Sequence, residues 1–162
     1  MKNIRRIIGI DPGLVHTGWG IIEAAGPERH YIASGVILPP KKAELPARLS
    51  FIFKELGAVI DLWNPNESAI EITFVNKNPA TTLVLGHARA AAILAASVRE
   101  IPLSEYEPNK IKKAIAAAGH ADKGQVERMV KMLLPKASPK TSDESDALAI
   151  ALAHANMSRF VL

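Results

Sequence analysis

Apolar residues recur along this chain in two rhythms, short β-branched runs and longer stretches at helical spacing, and their order predicts a sheet covered by helices. Ile7, Ile8 and Ile10 form a run that reads as a short buried strand closed by Asp11, after which Pro12-Gly13 turns the chain. Residues 17–23 and 31–37 read as two further strands, with a turn over 25–29 between them, so the first three strands form an antiparallel meander. Leu49, Ile52, Phe53, Leu56, Val59, Ile60 and Trp63 fall at helical spacing, and Asn64-Pro65-Asn66 ends that helix. Residues 68–73 predict a fourth strand, reached through a helix and therefore parallel to the first. An alanine-rich helix follows over 80–99, then a fifth strand over 101–106 and helices over 108–118 and 122–134. A linker over 135–142 leads to a last helix beginning near Ser142 as its N-cap.

The expected fold class is α/β, a five-stranded mixed sheet flanked by helices, with the first and fourth strands side by side. At 162 residues, with 48% hydrophobic and 22% charged content, the chain reads as one soluble domain over residues 1–162. It contains no cysteine, which removes disulfides, thiolate zinc sites and cysteine nucleophiles and fits a reducing cytoplasm. Neither a signal peptide nor a membrane span is expected. The alanines of the long helix would let another helix approach closely, in the core or across a dimer interface. Gly18 and Gly20 leave one face of the second strand bare; a bulge is the plainer expectation, a close approach of backbone or ligand the other.

Charge is unevenly spread. Residues 1–109 are neutral, residues 110–140 carry eight Lys and Arg against two acidic residues, and residues 141–162 are acidic. A basic block followed by an acidic cluster suits a polyanion-binding face beside a metal site, and equally a solvated helical surface. Asp11 stands at a strand tip, as a turn-forming residue or as a functional carboxylate. Glu71 interrupts the apolar run of the fourth strand, where an outward-facing residue on an alternating strand is the plainer reading. Asp143 and Asp146 lie three apart in the first turns of the last helix and are expected to project the same way, where they either complement the helix dipole or bind a cation. The strand order allows all four carboxylates to converge on one sheet edge. Such a set suits two hard divalent cations such as Mg2+, about 4 Å apart, and phosphodiester hydrolysis without a nucleophilic side chain.

The motifs Gly9-Ile10-Asp11-Pro12-Gly13, Thr17-Gly18-Trp19-Gly20, Ala69-Ile70-Glu71, Phe74-Val75-Asn76-Lys77-Asn78, Leu85-Gly86-His87-Ala88-Arg89, Ala121-Asp122-Lys123-Gly124-Gln125-Val126 and Asp143-Glu144-Ser145-Asp146-Ala147-Leu148-Ala149 occur in a fixed order. In that order the chain resembles the RuvC family of bacterial crossover-junction endodeoxyribonucleases over nearly its whole length. The resemblance implies a ribonuclease H-like fold and a homodimer that resolves four-way (Holliday) DNA junctions by paired, symmetric nicks in recombination and repair. It implies that Asp11, Glu71, Asp143 and Asp146 are the catalytic, metal-binding carboxylates, holding two Mg2+ per subunit for which Mn2+ can substitute. Phe74 stands where the family has an aromatic that stacks on junction bases. Lys112 and Lys123 match functionally important lysines, and with Lys77, Arg89 and Lys113 complete the expected DNA-binding set. A branch-migration complex of the RuvA and RuvB type is the implied partner, and the cytoplasm the implied location. The chain departs from the family pattern at Val15-His16, Ile72, Val84, His87, Ala90 and Ala117, positions that bear on DNA affinity and loop geometry rather than on the carboxylates.

Overall fold

The computed structural model describes residues 4–72, 77–116 and 122–158. Strands β1 (Arg5–Asp11), β2 (Thr17–Ala25) and β3 (Glu28–Ile37) are followed by helix α1 (Leu45–Trp63), strand β4 (Glu67–Glu71), helix α2 (Pro79–Ser97) and strand β5 (Leu103–Tyr106). Helices α3 (Pro108–Ala116), α4 (Lys123–Leu133) and α5 (Ser142–Met157) complete the order. The sheet runs β3-β2-β1-β4-β5, antiparallel from β3 to β1 and parallel from β1 to β5, so β1 and β4 are neighbours as expected.

Strand alternation sorts the side chains into two layers. Ile8, Ile10 and Ile70 pack with Leu56, Ile60, Ala92 and Ala95 beneath α1 and α2. Ile7 and Ala69, from the opposite set, pack with Leu148, Ile150, Ile111, Val126 and Val130 beneath α5, α3 and α4. Asp11 continues the series Ile7, Gly9, and Glu71 continues the series Glu67, Ala69. Both carboxylates therefore belong to the α5 face by period two alone. Glu71 does not interrupt its strand at random; it sits where alternation puts it.

The central element is α5, buried almost without interruption from Glu144 to Ala155. It can lie so close to the sheet because β1 and β2 face it with glycine. A Cβ added at Gly9 would stand 2.1 Å from the Ala147 carbonyl oxygen, and one at Gly18 would stand 2.2 Å from that of Asp143. At Gly20 it would meet the Leu148 side chain at 2.7 Å. The bare face expected of β2 thus serves close helix approach, whereas the bulge lies elsewhere, in the register shift of β3 opposite Ile21 and Ile22. The β2–β3 turn is also tighter than expected, since Ala25 pairs with Glu28 and Gly26 takes a φ of 61°. The N-cap of α5 is Thr141 rather than Ser142, its side chain accepting from the Glu144 N–H at 3.2 Å.

Helix α2 is long and apolar enough, by length and composition, to cross a membrane. No such span is expected from the sequence; in the fold one side of α2 is buried through Ala88, Ala91, Ala92, Ala95 and Ala96. Phe74, expected to stack on bases, and Ala117, a departure from the family pattern, lie outside the described residues.

At the far end of α5, His154 is buried between Tyr106 and Glu67. The Tyr106 hydroxyl lies 2.8 Å from Nδ1 and the Glu67 carboxylate 2.7 Å from Nε2. Glu67 also accepts from Arg5 at 2.7 Å. Burial lowers the His154 pKa from 6.5 despite Glu67, while the Arg5 hydrogen bond leads in lowering Glu67 from 4.5. The ring is therefore neutral, donating from Nε2–H to Glu67 and accepting the Tyr106 proton at Nδ1. Both depressed pKa values act with one sign, because the unfolded chain binds more protons. Stability should be complete above 6.5, decline through the His154 window as pH falls, and decline further below 4.5 as Glu67 protonates. His154→Phe should cost about 2 kcal/mol by orphaning its partners and abolish the first decline. Urea titrations across pH test this; an unchanged slope above 4.5 would locate the acid sensitivity elsewhere.

Candidate active site

Beyond the last β1–β4 register pair, Ile10 with Ile70, the two strands end in Asp11 and Glu71. Their alternation points both carboxylates toward α5, whose second turn supplies Asp146. These three side chains line one cleft of about 240 Å³, together with Lys112 of α3, Val126 of α4 and Ala149, one turn beyond Asp146. Pro108 and Ile111 complete the wall. The convergence expected from strand order is thus present for Asp11, Glu71 and Asp146.

The electrostatics follow from this crowding. The Glu71 carboxyl is raised from 4.5 chiefly by burial, then by the like charge of Asp146, with the Lys112 ammonium pulling the other way. Three carboxylates and a partly apolar wall disfavour full ionisation unless a cation enters. Oxygen-only donors without thiolate or imidazole suit a hard divalent ion, so the donor chemistry fits the implied metal. Among the described residues no group of three Asp, Glu or His side chains stands as a ready-made set around one ion. The carboxylates share a cleft rather than a point.

Asp143 occupies a different place. Its backbone carbonyl packs on Gly18, the residue paired with Asp11, and its carboxylate stands 3.8 Å from His16 Nδ1, outside the residues lining the cleft. One helical turn separates it from Asp146, and that turn carries it over the β1–β2 connection. This connection is itself held firmly. Thr17, fully buried, donates to the Gly13 carbonyl at 2.7 Å, and Arg48 of α1 donates to the Leu14 carbonyl at 2.7 Å.

Of the expected DNA-binding residues, Lys112 lines the cleft, while Lys77 and Lys113 are exposed. Lys123 opens α4, and Phe74 lies outside the described residues. Arg89 is engaged inward: its Nε donates to the Glu71 carbonyl at 3.3 Å and its terminal nitrogen pairs with Glu105 of β5. Ile72, a departure from the family pattern, continues the sheet by donating its N–H to the Tyr106 carbonyl at 2.8 Å. Val84 packs against the small apolar cluster of Leu14, Ile52 and Ala88.

Sequence reasoning missed Glu144 and Glu105. Buried Glu144 accepts from Ser34 of β3 at 2.8 Å and from the Lys140 N–H at 3.3 Å, tying the start of α5 to the sheet edge. The spacing Thr141-x-x-Glu144 is the signal for such a cap, although here the carboxylate reaches one residue further back than a capping box would. Nothing in the local sequence around Glu105 marks it as a partner of Arg89.

The family model for RuvC, crossover junction endodeoxyribonuclease, matches residues 7–154. A crossover junction endodeoxyribonuclease RuvC of Bradyrhizobium diazoefficiens is 51% identical over 151 residues, covering 93% of this chain and 86% of the relative. That of Xanthobacter autotrophicus is 47% identical over 154 residues, covering 95% and 91%. Among solved structures, Thermus thermophilus RuvC in complex with a Holliday junction substrate superposes with a TM-score of 0.87 at 30% identity, covering 94% of this chain and 93% of that one. The matched span runs from within β1 through His154 of α5 and so contains every carboxylate of the cleft. By family model, sequence and fold alike, this chain belongs to the RuvC family of crossover junction endodeoxyribonucleases.

Proposed function

We propose that the chain, acting as a single nuclease domain, resolves four-way DNA junctions by hydrolysing one phosphodiester in each of two symmetric strands. The observation that carries this reading is the meeting of Asp11, Glu71 and Asp146 with Lys112 in one cleft. The three carboxylates are the ligands for divalent ions, two Mg2+ per subunit with Mn2+ as substitute, and Asp143 joins them from the edge. Such ions supply a lowered pKa for an attacking water and charge stabilisation at the leaving oxygen. The chain's own residues do the rest. Lys112 offers an ammonium to a phosphate entering the cleft. Ile111, Val126 and Ala149 limit water there, which strengthens every charge interaction inside. The exposed Lys77 and Lys113, with Lys123 on α4, extend the positive surface along the DNA, and Phe74 stacks on junction bases.

Paired cuts require two clefts, and α2 offers the seam for a second copy. Leu83 and Leu94 are 65% and 52% exposed, and they share the outward side of α2 with His87 and Ala90. Leu94, His87 and Ala90 also border an apolar groove of about 290 Å³ shared with Leu49 and Phe53 of α1. A dimer across this side would bury an apolar stripe that water otherwise faces. Docking of a RuvA and RuvB type branch-migration complex in the cytoplasm belongs to the same reading and rests on family membership.

The test is cleavage of a synthetic four-way junction and of linear duplex, with Mg2+, with Mn2+ and with EDTA. Nicks at symmetric positions on two strands of the junction, absent with EDTA and on linear duplex, are the expected result. Nicks confined to one strand would remove the dimer from the proposal. Tight junction binding without nicks under either metal would reduce the chain to a binding module.

A further inference from the structure

Arg89 is an expected DNA contact, yet its side chain is only 20% exposed, and its Nε and one terminal nitrogen have partners within the protein. Its Nε donates to the backbone carbonyl of Glu71 at 3.3 Å, and its terminal nitrogen pairs with the Glu105 carboxylate. Glu71 is the final residue of β4, where a strand frays unless its terminal groups find other partners. Ile72 supplies one tie, through its N–H to Tyr106. Arg89 supplies the other, from a different element. Glu105 is in turn fixed by β5, standing in register with Ile70.

We infer that Arg89 and Glu105 form a positioning pair that holds the end of β4 and thereby the Glu71 carboxylate, rather than a contact to DNA. The inference rests on the reading of Glu71 as a catalytic carboxylate. The geometry supports it from both sides. Arg89 already spends its Nε on the Glu71 carbonyl and one terminal nitrogen on Glu105, so a phosphate contact would fall to the other terminal nitrogen alone. A positioning role needs no movement at all. Placement of a reacting group is sensitive to small errors, since a displacement of about 1 Å can cost about 100-fold in rate.

The opposite charges of the pair make the two roles separable. If Arg89 served as a phosphate contact, Arg89→Ala would weaken junction binding and lower the salt slope by about one, while Glu105→Ala, removing a negative charge, would tighten binding. If the pair positions Glu71, both substitutions act in the same direction and on the rate. The experiment measures junction Kd against salt in EDTA, and single-turnover nicking at saturating protein over a Mg2+ series. It covers the full chain, Arg89→Ala, Arg89→Lys, Glu105→Ala, Glu105→Gln, Lys113→Ala as a phosphate-contact control, and Glu71→Gln. Thermal unfolding of each variant establishes the folded fraction to which rates are normalised.

Arg89→Ala and Glu105→Ala are expected to slow nicking by about tenfold or more and to raise the Mg2+ concentration for half-maximal rate. Their Kd and salt slope should match those of the unsubstituted chain, whereas Lys113→Ala flattens the slope. Arg89→Lys and Glu105→Gln, which keep part of the pairing, should recover part of the rate. Opposite effects of Arg89→Ala and Glu105→Ala on Kd would overturn the inference in favour of a DNA contact. Nicking at the full rate in both, or a fall in stability with an unchanged rate per folded molecule, would overturn it too. If Glu71→Gln is inactive while the pair variants cut normally, only the inference fails. If Glu71→Gln itself cuts normally, the reading of the site fails and takes the inference with it.

Discussion

Asp11→Asn, Glu71→Gln and Asp146→Asn should each yield a folded protein that still binds four-way junctions and no longer cuts them. The substitutions preserve shape and remove one negative charge from a cleft whose carboxylates converge from β1, β4 and α5. Loss of a charge that develops its value only when cations and a dividing phosphate are present is worth several kcal/mol in the transition state, so nicking should fall about 10³-fold or more. Binding should hold, because the phosphate contacts are proposed for the lysines and not for the carboxylates. Folding stability without divalent ions should be unchanged or improved for Glu71→Gln. Burial and the neighbouring Asp146 already oppose ionisation at that position, so neutralising it relieves strain kept for function. Asp143→Asn should have a smaller effect than the other three, since its carboxylate stands beside His16 outside the cleft. Single-turnover nicking alongside gel-shift binding checks the set. Loss of binding in all three cleft variants would make these carboxylates structural, and equal losses at Asp143 and Asp146 would place Asp143 inside the reacting centre.

Gly9→Ala should be, with Gly18→Ala, among the most damaging single methyl additions to the sheet. The new Cβ would lie 2.1 Å from the Ala147 carbonyl oxygen and 2.6 Å from the Ala151 nitrogen, both backbone atoms of α5 that cannot rotate aside. Relief requires α5 to lift from β1. Overpacking of this kind costs about 3 kcal/mol, and here it also displaces the helix that carries Asp143 and Asp146. Reduced stability in urea titration and reduced nicking per folded molecule should therefore appear together. Gly20→Ala should be milder, because its nearest obstacle is the Leu148 side chain, whose methyl can turn away, although the Leu148 nitrogen stands 3.0 Å off. Wild-type stability in Gly9→Ala would mean that α5 is less tightly seated than these distances state.

Much of this was legible in the linear pattern. Period-two runs gave β1, β2, β3, β4 and β5 and helical spacing gave α1 and α4, because these are properties of local backbone geometry and of which side of an element faces water. Chain order made β1 and β4 parallel neighbours, since a helix returned the chain. The four carboxylates and the basic segment were visible as residue types, and the family motifs as an ordered set. Boundaries shifted where a local alternative existed, as at the Gly26-Pro27 turn and the Thr141 cap.

Other features depended on contacts between distant segments. Gly18 and Gly20 are compatible with a bulge or a close approach until α5 is seen lying on them. Arg89 is a lone cation in the sequence, whereas in the fold it meets the Glu71 carbonyl and Glu105, which come from two different strands. Asp143 and Asp146 look alike on a helix, yet one faces the cleft and the other His16. The sequence by itself determined which carboxylates, strands and helices this protein has, since those follow from residue type and local periodicity. Only the tertiary structure decided which of them meet, because the distance between side chains is set by register and packing across segments far apart in the chain.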